Sequence, residues 1–233
     1  MNEKKNVIII AHRGANSIAP ENTMKAFHKA IEFEADYIEF DVHMTKDREI
    51  VIMHDSNTYR TTGRKIKINE AILEDLKQLD CGEGEKIPTL RELIGISKGK
   101  IGLQCEIKAK GITDKVVDLL REEDIIESTL ISSFYHKELI KIKNIEPKLK
   151  VAALIIGVKK KKMIQKALDC KFYALHPLYK FVNKSFIDGA HENNIKVNVW
   201  TVNDMGEMRK LIDMGVDGII TNDVEAALNV LNR

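Results

Sequence analysis

The chain lacks the patterns that mark disulfide scaffolds, membrane spans and nucleic-acid surfaces. It has three cysteines in 233 residues, Cys81, Cys105 and Cys170. An odd number, wide spacing and no C-x-x-C pair argue against both a disulfide framework and a zinc site. Charge of one sign is also missing. A formal net charge of +2 lacks the concentrated basic excess of a dedicated nucleic-acid binder. No apolar run reaches the length needed to cross a bilayer. Near the N-terminus, Val7 to Ile10 is too brief for a signal-peptide core and has no small-residue cleavage site after it. With 44% hydrophobic and 31% charged residues, the expectation is an ordinary soluble, cytoplasmic protein. No stretch reads as a linker, so residues 1–233 are expected to form a single domain.

What is present is a recurrent unit, a short apolar run followed by a segment of helical periodicity. Strands are expected at Val7–Ala11, Tyr37–His43, Ile101–Ile107, Thr129–Ser133, Lys150–Ile155, Phe172–His176, Lys196–Trp200 and Gly218–Thr221. Helices are expected near 22–34, 89–96, 112–123, 136–145, 159–168, 183–193, 204–214 and 223–231. Alternation of this kind gives a parallel sheet with right-handed crossovers. Eight strands in this length fit the α/β (β/α)8 TIM barrel; a doubly wound open sheet remains as the alternative from pattern alone.

A ninth apolar run, Glu49–Met53, follows His43 after too few residues for a parallel crossover. It is expected to fold back on Tyr37–His43 as a small hairpin strand after the second barrel strand. A turn centred between Lys46 and Asp47 would set His54 opposite Glu39.

Side chains alternate across a strand. In Tyr37–His43, therefore, Glu39, Asp41 and His43 share one face and Ile38, Phe40 and Val42 the other. In a barrel the apolar set meets the helices and the carboxylates point inward. Leu103–Lys108 repeats the device, with Gln104, Glu106 and Lys108 on one face and Cys105 on the other, as a small core residue. Buried carboxylates need a cation or strong hydrogen bonds. Glu39, Asp41 and Glu106 suit a hard divalent cation, Mg²⁺ or Ca²⁺; an internal salt-bridge network with Arg13 and Lys108 is the competing reading. His12-Arg13-Gly14 and His54-Asp55 each end a strand, and active sites in such barrels gather at strand C-termini. Two histidines beside a metal suit acid–base work on a phosphate ester. Arg13 and Lys108 could neutralise phosphate. Asn22 or Thr23 is read as the N-cap of the first helix, without a catalytic role.

The ordered set His12-Arg13-Gly14, Pro20-Glu21-Asn22-Thr23, Glu39-x-Asp41-Val42, His54-Asp55, Arg60-Thr61-Thr62-Gly63, Ile87-Pro88-Thr89-Leu90 and Glu106-Ile107-Lys108 resembles the glycerophosphodiester phosphodiesterase family. Val197–Asn203 and Gly215–Thr221 resemble its C-terminal half, so the likeness runs from Ala11 to about Asn222. It implies a (β/α)8 barrel and a divalent metal on Glu39, Asp41 and Glu106. It also implies His12 and His54 as the acid–base pair, with Arg13 and Lys108 on the phosphate. In the family the neighbouring glycerol hydroxyl attacks phosphorus and water then opens the cyclic intermediate, giving sn-glycerol 3-phosphate and an alcohol. One departure is Asn222, where relatives usually have aspartate straight after the threonine. The segment from Ser56 to Lys100 has no room for the inserted domain of larger members, which leaves the substrate mouth open.

Trp200 is the only tryptophan and, given the resemblance, is expected to wall the substrate pocket. His176 and Phe134 end strands as well and are read equally as site-lining or structural. Lys159 to Lys162 form a solvated helix face on the ordinary reading; weak contact with an anionic membrane surface is the other. The implied substrate is a small glycerophosphodiester, with no nucleic-acid partner and the oligomeric state left open. A lysophospholipase D needs the same chemistry plus an apolar groove, and a catalytically silent phosphodiester-binding protein would typically lack one of the site residues.

Overall fold

The computed structural model describes residues 7–157 and 160–233. Its strands are β1 (Ile8–His12), β2 (Tyr37–Met44), β3 (Ile50–Ile52), β4 (Gly102–Ile107), β5 (Thr129–Ser133), β6 (Lys150–Ile155), β7 (Ala174–Pro177), β8 (Lys196–Val199) and β9 (Gly218–Thr221). All except β3 run parallel in one sheet, and the β1–β2 pairing closes that sheet into an eight-stranded ring. This is the (β/α)8 barrel. β3 lies outside the ring, antiparallel on β2.

Helices α1 (Met24–Glu32), α4 (Leu90–Ser97), α5 (Thr113–Glu122), α6 (His136–Ile145), α7 (Lys160–Asp169), α8 (Lys184–His191), α9 (Met205–Met214) and α10 (Val224–Leu231) follow the strands. The expected helix start at 159, and the N-terminal run before Val7, lie outside the described residues. Two short helices, α2 (Tyr59–Thr62) and α3 (Leu73–Lys77), and a 3-10 turn at Ile68–Glu70 were not expected. They occupy the excursion between β3 and α4, over a small cluster of Val51, Met53, Ile68, Leu76 and Ile87.

The main core lies between barrel and helices. Ile38, Phe40 and Val42 are buried there, and Phe40 meets Phe27 of α1 edge-to-face at 6.4 Å between centroids. Cys105 belongs to the same layer and is fully buried. Thr23, not Asn22, caps α1, accepting from the Ala26 amide at 3.3 Å. At α4, Thr89 and Glu92 form a reciprocal capping box.

The hairpin forms, but its register differs by one from the expected one. Val42 faces Ile52, His43 faces Val51 and Met44 faces Ile50, so the turn is centred on Asp47. The Thr45 amide donates to Glu49 O at 2.9 Å and closes a three-residue loop, with Arg48 in the left-handed region at φ 67°. A loop of this kind needs an odd number of residues, which a turn placed between two residues cannot supply. Continued in this register, Asp55 and not His54 would stand opposite Glu39. The ladder ends at Met53, whose amide donates to Asp41 O at 2.9 Å.

Candidate active site

Barrel register brings the inward side chains together laterally. His12 on β1 is the Cα partner of Glu39 on β2, and Asp41 on β2 is the partner of Glu106 on β4. Glu39, Asp41 and Glu106 are all buried, and one oxygen of each lies within 4.8 Å of the others. His54 reaches the same cleft beyond the hairpin ladder. The cleft, about 110 Å³, is lined by His12, Arg13, Glu39, His54, Glu106 and Lys108, with Phe134, Leu154 and Trp200 along the apolar wall. A larger cavity of about 230 Å³ opens at the other end of the barrel, between Tyr37, Tyr173, Lys196 and Asp217. It contains neither histidine nor any of the three carboxylates, so volume does not identify the chemical site.

The competing salt-bridge reading is present in part. Lys108 Nζ lies 2.9 Å from Glu106 Oε1 and 3.6 Å from Asp41 Oδ1. Arg13 Nε lies 3.3 Å from Asp41 Oδ2, and the Arg13 amide donates to Glu39 Oε2 at 2.9 Å. Two side-chain cations against three carboxylates leave one negative charge unmatched. The consequence is visible in the protonation equilibria. Burial, then the charges of Asp41 and Glu106, push Glu39 well above the usual carboxylate range. Burial and Asp41 push Glu106 up to about 7 against the pull of Lys108. Burial would raise Asp41 too, but Lys108 and Arg13 hold it down. Asp41 Oδ1 is buried without a hydrogen-bond partner. An all-oxygen donor set with surplus negative charge and an unpartnered oxygen fits a hard divalent cation.

The two histidines are held by partners of different charge. His12 Nδ1–H donates to Asn222 Oδ1 at 2.7 Å, leaving Nε2 with its lone pair. Burial and the Arg13 charge lower its pKa to about 4. His54 Nδ1–H donates to the Asp55 carboxylate at 2.6 Å. Asp55 in turn accepts from Arg60 Nε at 2.7 Å. Glu21 accepts from Arg60 at 2.6 Å and from Arg13 at 3.0 Å. A continuous charged chain thus runs from Arg13 through Glu21, Arg60 and Asp55 to His54.

Asn22, Glu21, Asp55, Arg60 and Asn222 are the residues that reading the sequence left without a role in the site. The sequence offers Asn22 or Thr23 as the helix cap, and Thr23 takes that role. Asn22 instead sits in the left-handed region at φ 55° and its Nδ2 donates to Asp41 Oδ2 at 2.8 Å. The adjacent Thr23 was the available signal, since one helix takes only one cap. Trp200 lines the cleft, edge-to-face on Phe134 at 5.6 Å, with its Nε1 donating to His176 O at 2.7 Å. His176 is fully buried behind it and does not line the cleft. Its Nε2 accepts from Asn198 Nδ2 at 3.0 Å, and burial pushes its pKa down to about 3.

The model of the glycerophosphoryl diester phosphodiesterase family matches residues 12–226, which spans every one of these side chains. The chain belongs to this family. It is accordingly an enzyme, a phosphoric diester hydrolase. A glycerophosphodiester phosphodiesterase of Caldanaerobacter subterraneus subsp. tengcongensis is 36% identical over 97% of this chain and 98% of its own. An Oleispira antarctica phosphodiesterase, solved in complex with the product sn-glycerol-3-phosphate, is 27% identical and superposes with a TM-score of 0.90, covering 97% of each chain. A Thermotoga maritima glycerophosphodiester phosphodiesterase is 29% identical with a TM-score of 0.84, over 97% of this chain and 98% of its own. Among the described residues, no helix is long and apolar enough to cross a membrane.

Proposed function

We propose that the enzyme hydrolyses glycerophosphodiesters to sn-glycerol 3-phosphate and an alcohol, with His12 as the first general base and His54 as the first general acid. The observation that carries this reading is that both histidines share one cleft with Arg13, Lys108 and the Glu39, Asp41 and Glu106 carboxylates. Glu39, Asp41 and Glu106 would hold a divalent cation, Mg²⁺ or Ca²⁺, which when bound supplies Lewis-acid stabilisation of charge on the phosphoryl oxygens.

His12, neutral at physiological pH and fixed by Asn222 with Nε2 free, suits removal of a proton from the glycerol 2-hydroxyl. That oxygen bonds to phosphorus as the bond to the leaving alcohol breaks, and His54 gives the alcohol its proton. Asp55 accepts from His54 Nδ1–H and so fixes the orientation of the ring, as a carboxylate partner does in a catalytic dyad. The product is a five-membered cyclic phosphate. Water then adds to phosphorus, with His54 taking its proton and His12 returning one to the glycerol oxygen. Both histidines end in their starting states. Arg13 and Lys108 would neutralise phosphate charge, and Trp200 would pack against the carbon skeleton.

The apolar wall of Phe134, Leu154 and Trp200 favours a second reading, a lysophospholipid that retains one acyl chain. A rat lysophospholipase D is 22% identical over 91% of this chain. Parallel assays on glycerophosphocholine and lysophosphatidylcholine separate the two, and turnover of the lysolipid alone would overturn the first. For the chemistry, His12→Ala and His54→Ala are each expected to lower kcat by about 100-fold or more, and a chelator to abolish release of glycerol 3-phosphate. Undiminished turnover in either variant would refute the acid–base assignment.

A further inference from the structure

Exposed apolar side chains are normal singly; a cluster on one sector marks an interaction surface. Phe134, Tyr135, Ile156 and Phe181 are 40, 41, 65 and 41% exposed. They stand on the loops after β5, β6 and β7, three adjacent strands of the ring. All three loops are at the C-terminal face, and Phe134 is at once part of the rim and part of the active-site wall.

The same sector is basic. From Ile156 to Met163 the sequence has four lysines and no acid, and from Leu178 to Lys184 it has Lys180 and Lys184 and no acid. Lys161 and Lys162, at the start of α7, are exposed. Lys110, on the loop after β4, sits over the Tyr135 ring at 5.5 Å. Across the mouth, α9 and α10 begin with acids instead: Asp204, Glu207, Asp223 and Glu225. Lysines crowded at a helix N-terminus oppose the helix dipole and one another, so the α7 start gains nothing locally from its charge. An anionic surface removes that disadvantage. Aromatic and aliphatic side chains interleaved with lysine are the composition that partitions into the headgroup layer of an acidic bilayer.

We propose that the rim formed by the loops after β5, β6 and β7 docks on an anionic lipid bilayer, with the active-site mouth turned toward the headgroups. Ile156 and Phe181 enter the headgroup boundary, and Lys161 and Lys162 meet lipid phosphates. The acidic sector at α9 and α10 tilts away, so the enzyme approaches on one side of its mouth. This docking concerns the surface alone and holds whether or not the hydrolytic reading above is right.

The test is sedimentation of the full chain with vesicles of phosphatidylcholine or of phosphatidylcholine mixed equally with phosphatidylglycerol. Binding is expected to the mixed vesicles and not to the neutral ones, and to fall as salt rises. Lys161→Glu with Lys162→Glu is expected to weaken the partition by about tenfold or more. Ile156→Ser with Phe181→Ser is expected to do the same. Neither pair lies in the cleft, so turnover of soluble glycerophosphocholine and the thermal unfolding midpoint are expected to stay at the wild-type values. The proposal is overturned if the wild type stays in the supernatant with acidic vesicles, or if both double variants sediment as it does. It is also overturned if the chain dimerises without lipid and the Ile156/Phe181 variant abolishes that dimer, which would make a second copy the occupant.

Discussion

At the scale of single residues, the site is a pair of histidines distinguished by what each one's Nδ1 touches. Asn222 offers His12 a neutral oxygen, whereas Asp55 offers His54 a carboxylate. A neutral partner fixes the tautomer and favours the imidazolium too little to offset burial and the Arg13 charge, which hold His12 down at about 4. Asn222→Asp is therefore expected to move the acid limb of kcat/KM upward by about one pH unit or more, because the role of base proposed for His12 requires it to be neutral. Asn222→Leu is expected to lower kcat by up to about 100-fold through loss of the tautomer. A pH–rate profile of the two variants checks this; a limb that stays put in Asn222→Asp would reduce Asn222 to a packing residue. The sequence makes the carboxylates legible because strand alternation is local, so Glu39, Asp41 and Glu106 follow from spacing. Asn222 is 210 positions from His12, and no local pattern reports that contact.

At the scale of elements, the turn from β1 into α1 sets where His12 and Arg13 end up. Arg13 and Gly14 both have positive φ, 56° and 80°. A Cβ on Gly14 would lie 2.7 Å from the backbone carbon of Ala26 in α1, closer than real contacts allow. Gly14→Ala is expected to cost about 2–4 kcal/mol and to lower kcat by displacing His12. Gly111→Ala is the control: it has φ +78° but open space around it, so only backbone strain of about 1–2 kcal/mol applies. Urea midpoints at constant m-value measure both, and equal losses would show that the contact with Ala26 is not what requires glycine. The β2–β3 hairpin shows what sequence leaves undecided at this scale. That the chain turns back after His43 follows from the shortness of the connection, but the register depends on Arg48 accepting a left-handed conformation, which its residue type disfavours. α2 and α3 were likewise hidden, being only four and five residues long, too short for a periodic pattern.

At the scale of the molecule, eight strand–helix units were legible because each buries an apolar face that recurs along the chain, and closure follows from pairing β1 with both β2 and β9. Closure also creates an interior in which polar side chains sit beside a small apolar cluster of Leu130, Ala152 and Ala174, and His176 shows the consequence for stability. It is fully buried, and among the described residues its only side-chain partner is the amide of Asn198 and its Nδ1 has none. Burial lowers its pKa from 6.5 to about 3, so the folded protein keeps it neutral where the unfolded chain binds a proton. A depressed pKa contributes stability that is complete above 6.5 and is lost as pH falls toward about 3. Within that window the loss amounts to roughly 1.4 kcal/mol per pH unit. His176→Gln has nothing to titrate there. The unfolding free energy of wild type minus variant is therefore expected to shrink by about 2 kcal/mol between pH 6.5 and pH 5. Taking the difference cancels the other titrating groups, which both proteins share. Urea unfolding at pH 7, 6 and 5 measures it, and a difference independent of pH would mean that His176 is protonated, and partnered, inside the fold.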